Sequence, residues 1–135
     1  MTLVEVVIAL AITGLTVGGI CAGYIYCTTS AVKAELVQAA SARAMERIEE
    51  ARSAQWDTSS YPPTNQLIAA NFPDEIVSLD LSGTNAGGTS ATIQTHISQL
   101  STNPSFTKIH VDCIWQFRGT GWITNSVETI RAPDQ

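Results

Sequence analysis

Among the residues of this chain that could do chemistry, the most out of place is Glu5. It is the single charge in Met1–Thr29, MTLVEVVIALAITGLTVGGICAGYIYCTT, and the next charge is Lys33. A carboxylate in apolar surroundings is costly to bury and marks a functional position whose cationic partner must be named. The run holds no Lys or Arg, so the cation at the same depth is the α-amine of Met1, one helical turn away. The pair can close within one chain. Among parallel helices staggered along an axis, Glu5 can instead meet the Met1 amine of a neighbour, which would make it a registry device.

The other reactive side chains are few. His96 and His110 fall opposite the strongest apolar rows of their segments. Neighbouring strands can bring them together, but a metal site needs more ligands than the sequence places. They read as exposed histidines, and no metal or cofactor is expected. Cys21 and Cys27 lie in the apolar run and Cys113 far beyond it, so the later region cannot close a disulfide of its own. All three read as free thiols packed like small hydrophobes, while the odd count leaves a bridge between subunits open. Tyr24 and Tyr26 suit interfacial packing. No nucleophile–base–orienter set, phosphate loop or carboxylate dyad stands out, so the chain reads as a non-enzyme. A net charge of −5 with seven Lys plus Arg lacks the basic stripe of a nucleic-acid binder.

What positions Glu5 is the apolar run itself. About 20 apolar residues suffice to cross a bilayer as a helix, so residues 1–29 span it with some to spare. A secretory signal would have a basic start, a shorter apolar core and a cleavage site before polar sequence. Here the apolar run starts at once and passes directly into helix-forming sequence, so it reads as retained. The missing basic prefix suggests that a segment before Met1 has been cut off. Gly14, Gly18, Gly19 and Gly23 each cost about 1 kcal/mol relative to alanine in a helix interior, making this the weakest part of the helix. The same glycines fit the small-xxx-small spacing of close helix–helix approach. Local melting and close packing are compatible, and both stay open.

Residues 30–56 continue the helix in amphipathic form. Val37, Ala40, Ala44, Ile48 and Ala51 make a narrow stripe of mostly small residues, and Arg43–Glu46 and Arg47–Glu50 are spaced for i,i+3 pairing. Asp57-Thr-Ser-Ser-Tyr-Pro-Pro stops the helix near Trp56, and residues 57–74 read as a connecting loop with a short helical turn near Asn65–Ala70. Four strands follow: Glu75–Leu81 with Val77, Leu79 and Leu81 on one face; Thr89–Leu100 with Ile93, Thr95 and Ile97; Phe106–Phe117 with a strict period-two row; and Trp122–Ile130. Turns at Ser82–Gly88, Ser101–Ser105 and Arg118–Gly121 join them. The fold class is α+β. A long N-terminal helix, membrane-spanning in its first half, carries a 3–4-stranded antiparallel sheet on its second half, with residues 57–135 forming a globular β head.

The opening Met1-Thr2-Leu3-Val4-Glu5-Val6-Val7-Ile8-Ala9-Leu10-Ala11-Ile12, with its glutamate at position five, resembles the mature start of the type IV pilin-like superfamily. Ala42-Arg-Ala-Met-Glu-Arg-Ile-Glu-Glu-Ala-Arg is similar to the helix continuation of minor pilins and pseudopilins, and Val111–Gly119 with Ser126–Pro133 looks like their terminal hairpin. The resemblance implies removal of a leader by a prepilin peptidase, N-methylation of Met1, passage through the inner membrane, and handling by pilus assembly machinery. It implies a helical homo-oligomer held through residues 1–54, as an extracellular pilus or a periplasmic pseudopilus. Met1 replaces the commoner Phe, a proline near position 22 is missing, and there is no C-terminal disulfide loop. Met1, the chain length and the absent disulfide loop point towards a minor pilin or a pseudopilin of type II secretion, while without the proline any unwinding rests on the glycines. The alternative from a different class is a monomeric membrane-anchored binding domain.

Overall fold

The computed structural model describes residues 2–80, 88–119 and 121–134. Helix α1 runs without interruption from Leu3 to Ser53. Two short strands follow, β1 (Trp56–Asp57) and β2 (Thr64–Asn65), and a 3-10 turn at Ala69–Asn71. The main sheet comprises β3 (Glu75–Ser78), β4 (Ser90–Thr102), β5 (Ser105–Gln116) and β6 (Trp122–Arg131). It is an antiparallel meander in the order β3-β4-β5-β6, so the chain is α+β with helix and sheet packed together. Contacts divide it into two units, Met1–Glu35 and Leu36–Gln135, each taken by itself below.

In the second unit the core follows from two periodicities that meet. The helix buries Leu36, Ala40, Ala44, Ile48 and Ala51, a stripe at spacings of four and three. Strand β5 buries Ile109, Val111, Cys113 and Trp115, each 0% exposed, and β4 adds Ala91 and Ile93. The alanines add little volume, so the bulk of the core comes from the strands. Val37, expected within the stripe, is half-buried, and Leu36 takes the core place one position earlier.

Polar groups pin the contact. Trp115 Nε1–H donates to Asn125 Oδ1 at 2.9 Å, and Asn125 Nδ2–H donates to Ser41 Oγ at 3.1 Å. Ser41 Oγ in turn donates to Val37 O at 2.9 Å. This relay satisfies groups that would otherwise be costly inside the interface. Arg47 is only 7% exposed and donates to Glu50, Glu75 and the Pro73 carbonyl. It is therefore more than the surface half of an i,i+3 pair.

The helix ends three residues before Trp56, because Trp56–Asp57 pairs with Thr64–Asn65 as a small antiparallel ribbon inside the expected loop. Its last carbonyls are taken from a distance: Arg131 donates to Ala51 O at 3.1 Å and also to Ala54 O. A basic side chain on the final carbonyls suits the negative end of the helix dipole. Trp56 N–H donates to Asp134 Oδ2 at 2.8 Å, and Asp134 N–H returns a bond to Trp56 O at 2.7 Å. Asp134 is thereby held below its usual carboxyl range, mainly by the Trp56 N–H and then by Arg131.

The strand expectations hold with adjusted ends. Strand β3 stops at Ser78, although Val77 and Leu79 turn inward as expected. The β4–β5 turn is tighter than Ser101–Ser105: Thr102 pairs with Ser105, leaving Asn103–Pro104, joined by a cis peptide, as the loop. The short helical turn lies at Ala69–Asn71, later than Asn65–Ala70. In the β5–β6 loop Gly119 has φ +72°, where only glycine is unstrained, and Arg118 lies over the Phe117 ring at 5.5 Å. Leu81 and most of the Ser82–Gly88 turn lie outside the described residues.

Candidate functional site

The first unit has one feature: the N-terminal part of α1. Leu3, Val4, Val6, Val7, Ile8, Leu10, Ile12, Leu15, Val17, Ile20, Tyr24, Ile25 and Tyr26 are all exposed, spread round every side of the helix. Its most apolar 18-residue window has a mean hydropathy of 2.2, and none of it is buried. A helix apolar on all faces belongs inside a large core or a membrane. This one is long and apolar enough to cross a membrane.

Several threonine hydroxyls along it are satisfied by the helix's own carbonyls. Thr13 Oγ1–H donates to Ala9 O at 2.8 Å, Thr16 to Thr13 O at 2.9 Å, and Thr29 to Ile25 O at 2.9 Å. Such back-bonding lets hydroxyls sit in surroundings without water. Glu5 too has a local partner, which its isolation in the sequence does not suggest. Thr2 N–H donates to Glu5 Oε2 at 3.3 Å, while Thr2 O accepts from Glu5 N–H at 3.0 Å. With Leu3 as the first helical residue, Thr2-Leu-Val-Glu5 has the spacing of a capping box, in which the third helical residue reaches back to the cap's N–H. The signal was present in the sequence as Thr-x-x-Glu. One carboxylate oxygen stays clear of this bond. Met1, expected to pair with Glu5 and to carry N-methylation, lies outside the described residues.

Gly14, Gly18, Gly19 and Gly23 interrupt neither the helix nor its packing. A Cβ at any of the four would meet nothing within 4 Å. Nothing among the described residues therefore demands glycine at these places. Cys21 and Cys27 are exposed on the same stretch, whereas Cys113 is buried in the second unit and burial pushes its thiol pKa up.

In the second unit the sheet brings His96 and His110 into direct cross-strand register, with ring centroids 6.4 Å apart. Both sit on the side of the sheet opposite Ile109, Val111 and Cys113, as their alternation predicts. No three His, Cys, Asp or Glu side chains among the described residues stand ready around one point to hold a metal ion. Comparison with models of known families, with curated proteins and with solved structures finds no match to this chain.

Proposed function

We propose that this protein is a structural subunit of a type IV pilus-like filament that polymerises through its N-terminal helix. The observation carrying this reading is an apolar helix exposed on every side, holding one charged side chain and four glycines with open space around them. A simple anchor needs neither the acid nor the glycines. In lipid the exposed apolar surface is satisfied by acyl chains. In a filament the same surface is satisfied by neighbouring helices, and close approach at Gly14, Gly18, Gly19 and Gly23 gains packing that lipid does not supply. Glu5, with a carboxylate oxygen left over from its cap, pairs with the Met1 amine of an adjacent subunit and sets the stagger.

By its resemblance to that superfamily, the chain is cleaved by a prepilin peptidase, waits in the inner membrane and is handed to pilus assembly machinery. A second reading, minor pseudopilin of a type II secretion pseudopilus, is favoured by Met1 in place of Phe. It is favoured too by the lone Cys113 of the β unit, which leaves no C-terminal disulfide loop.

The test is Glu5→Leu expressed in place of the natural chain. Membrane fractionation should show normal insertion, and negative-stain imaging of sheared surface material should show few or no filaments. Normal filaments from the variant would sink the registry reading. If the natural chain stays monomeric in the membrane and never enters filaments, it is an anchored binding domain instead. Mass spectrometry of sheared filaments separates major from minor subunit by abundance.

A further inference from the structure

The two edges of the main sheet are unequal. Among the described residues, the strand order β3-β4-β5-β6 leaves β3 and β6 each with one side unpaired. Strand β3 is four residues long, and a short edge offers little for another chain to pair with. Strand β6 runs for ten, and it pairs one-for-one with β5 along that whole length without a bulge. Proteins blunt exposed edges with bulges, prolines, lysines or other charges, or by keeping them short. Strand β6 has no Pro or Lys, and its two charges are held from within the chain. Lys108 takes Glu128, which lies opposite His110 on β5, while Asp134 and the Ala51 carbonyl take Arg131.

The side chains along this edge fit a second copy of the same strand. Trp122, Thr124, Ser126, Glu128 and Ile130 are exposed on the outer face, and the residues between them are half-buried on the inner one. Antiparallel pairing sets like faces opposite one another, so a two-fold axis through the edge must pass beside one residue and its own copy. With the axis at Ser126, Trp122 lies opposite the partner's Ile130, Thr124 opposite the partner's Glu128, and each pair occurs twice. Trp122 and Ile130 are 72% and 63% exposed, and here they cover each other as an aromatic–β-branched pair, a kind that stabilises sheets. No like charges meet. Moving the axis to Val127 carries Trp122 past the end of the partner strand, and moving it to Asn125 sets Trp122 against Glu128. An axis at Glu128 brings two carboxylates face to face, which is destabilising.

We propose that β6 pairs edge to edge with β6 of a second copy of this chain, antiparallel about a two-fold axis at Ser126, so that two sheets join into one. Hydrogen bonds of the free backbone edge supply the affinity, and the Trp122–Ile130 pairs fix the register. Such an interface is isologous, each patch meeting itself. The axis stands normal to the sheet, so the helical stretch Leu36–Ser53, which lies along the inner face, runs in opposite directions in the two copies. The contact therefore does not join parallel neighbours of one filament. It joins chains arriving from opposite directions, as where two filaments lie side by side. The surface lies wholly within the Leu36–Gln135 unit and stands whether or not the chain forms filaments.

The test uses the full chain in detergent micelles, with Cys21→Ser and Cys27→Ser so that exposed thiols do not compete. Directly opposed residues have Cβ atoms about 5 Å apart, within reach of a disulfide after a small adjustment. Ser126→Cys, at an exposed position, should therefore cross-link into dimers under mild oxidation. Thr124→Cys and Glu128→Cys should each give no cross-link alone and should form dimers when mixed, because position 124 faces position 128. Trp122→Lys added to Ser126→Cys should weaken dimerisation roughly 2–30-fold, the effect of losing two cross-strand pairs. Far-UV circular dichroism of each variant checks that the sheet is intact. A folded Ser126→Cys variant that gives no dimer would overturn the proposal, even if the chain still assembles through its N-terminal helix. Cross-linking of Glu128→Cys alone would overturn it as well, and cross-linking of Thr124→Cys to Ile76→Cys would make β3 the occupant instead.

Discussion

Replacing Glu5 by Gln separates the two things this side chain can do. Its bond to Thr2 N–H is 3.3 Å long, at the weak end for N–H···O, and Gln in a capping box accepts the same bond. Glu5→Gln therefore keeps the start of the helix, whereas Glu5→Leu also removes a cap worth about 0.5–1 kcal/mol. What Gln deletes is the charge. A hydrogen bond to an ionised partner contributes about 1.5–3 kcal/mol net, and each 1.4 kcal/mol is tenfold in an equilibrium constant. Loss of a Glu5–amine pair between neighbours should thus raise the concentration needed for assembly by roughly 10–100-fold. Circular dichroism in micelles should show unchanged helix content, and filament yield per cell, from sheared material scored by imaging and immunoblot, should collapse. Wild-type filament yield from a Glu5→Gln strain would refute the pairing argument and leave Glu5 as a helix-starting residue.

Three further predictions concern the β unit. Trp115→Phe keeps most of the apolar contact but removes the Nε1–H donor to Asn125; it should cost about 1–3 kcal/mol, read as a lower urea midpoint at unchanged slope. Asp134 has its carboxyl held below the ordinary 3.8 by the Trp56 N–H and then Arg131. The stability it contributes is therefore complete above the unfolded value and lost as pH falls through the folded one. Acidification below about pH 4 should shift the Trp56 amide resonance, and Asp134→Asn should remove that pH dependence. Cys113, buried and with its thiol pushed up by burial, should resist iodoacetamide at pH 8 in the folded chain and react once urea unfolds it. Rapid labelling of native Cys113 would contradict the packing described.

The legible parts of this fold were those written in a repeat. Ile109, Val111, Cys113 and Trp115 alternate strictly, and Ala40, Ala44, Ile48 and Ala51 recur at helical spacing, so strand, helix and the contact between them could be read directly. Asn125 could not. A polar residue at an inward position of β6 makes sense only once Trp115 and Ser41 are seen on either side of it. Arg47 reads as a surface charge from its spacing to Glu50, because Glu75, 28 positions later, leaves no mark near it. The β1–β2 ribbon is two residues deep, too short for any periodicity. At the N-terminus the isolation of Glu5 points to its charge, whereas its bond from the Thr2 N–H is marked only by the Thr-x-x-Glu spacing. The histidine row was half legible: alternation set both rings outward, but register with Glu128 depends on turn lengths that composition does not specify.

Arg131 reaches the carbonyl of Ala51 across 80 positions of chain and that of Ala54 across 77. These are among the longest sequence separations in the molecule, and they lie at the point where the helix stops. On the ribosome, α1 is complete long before Arg131 exists, and its Ala40–Ala51 stripe has no sheet to meet. Folding of the second unit therefore waits for β6, the last strand made, and contacts of such separation close slowly. During that interval the first 30 residues can already be engaged by a membrane while the stripe behind them stays bare and open to proteases or to mispairing with another nascent chain. The rate at which β4, β5 and β6 zip together then sets how long that stripe stays exposed during synthesis.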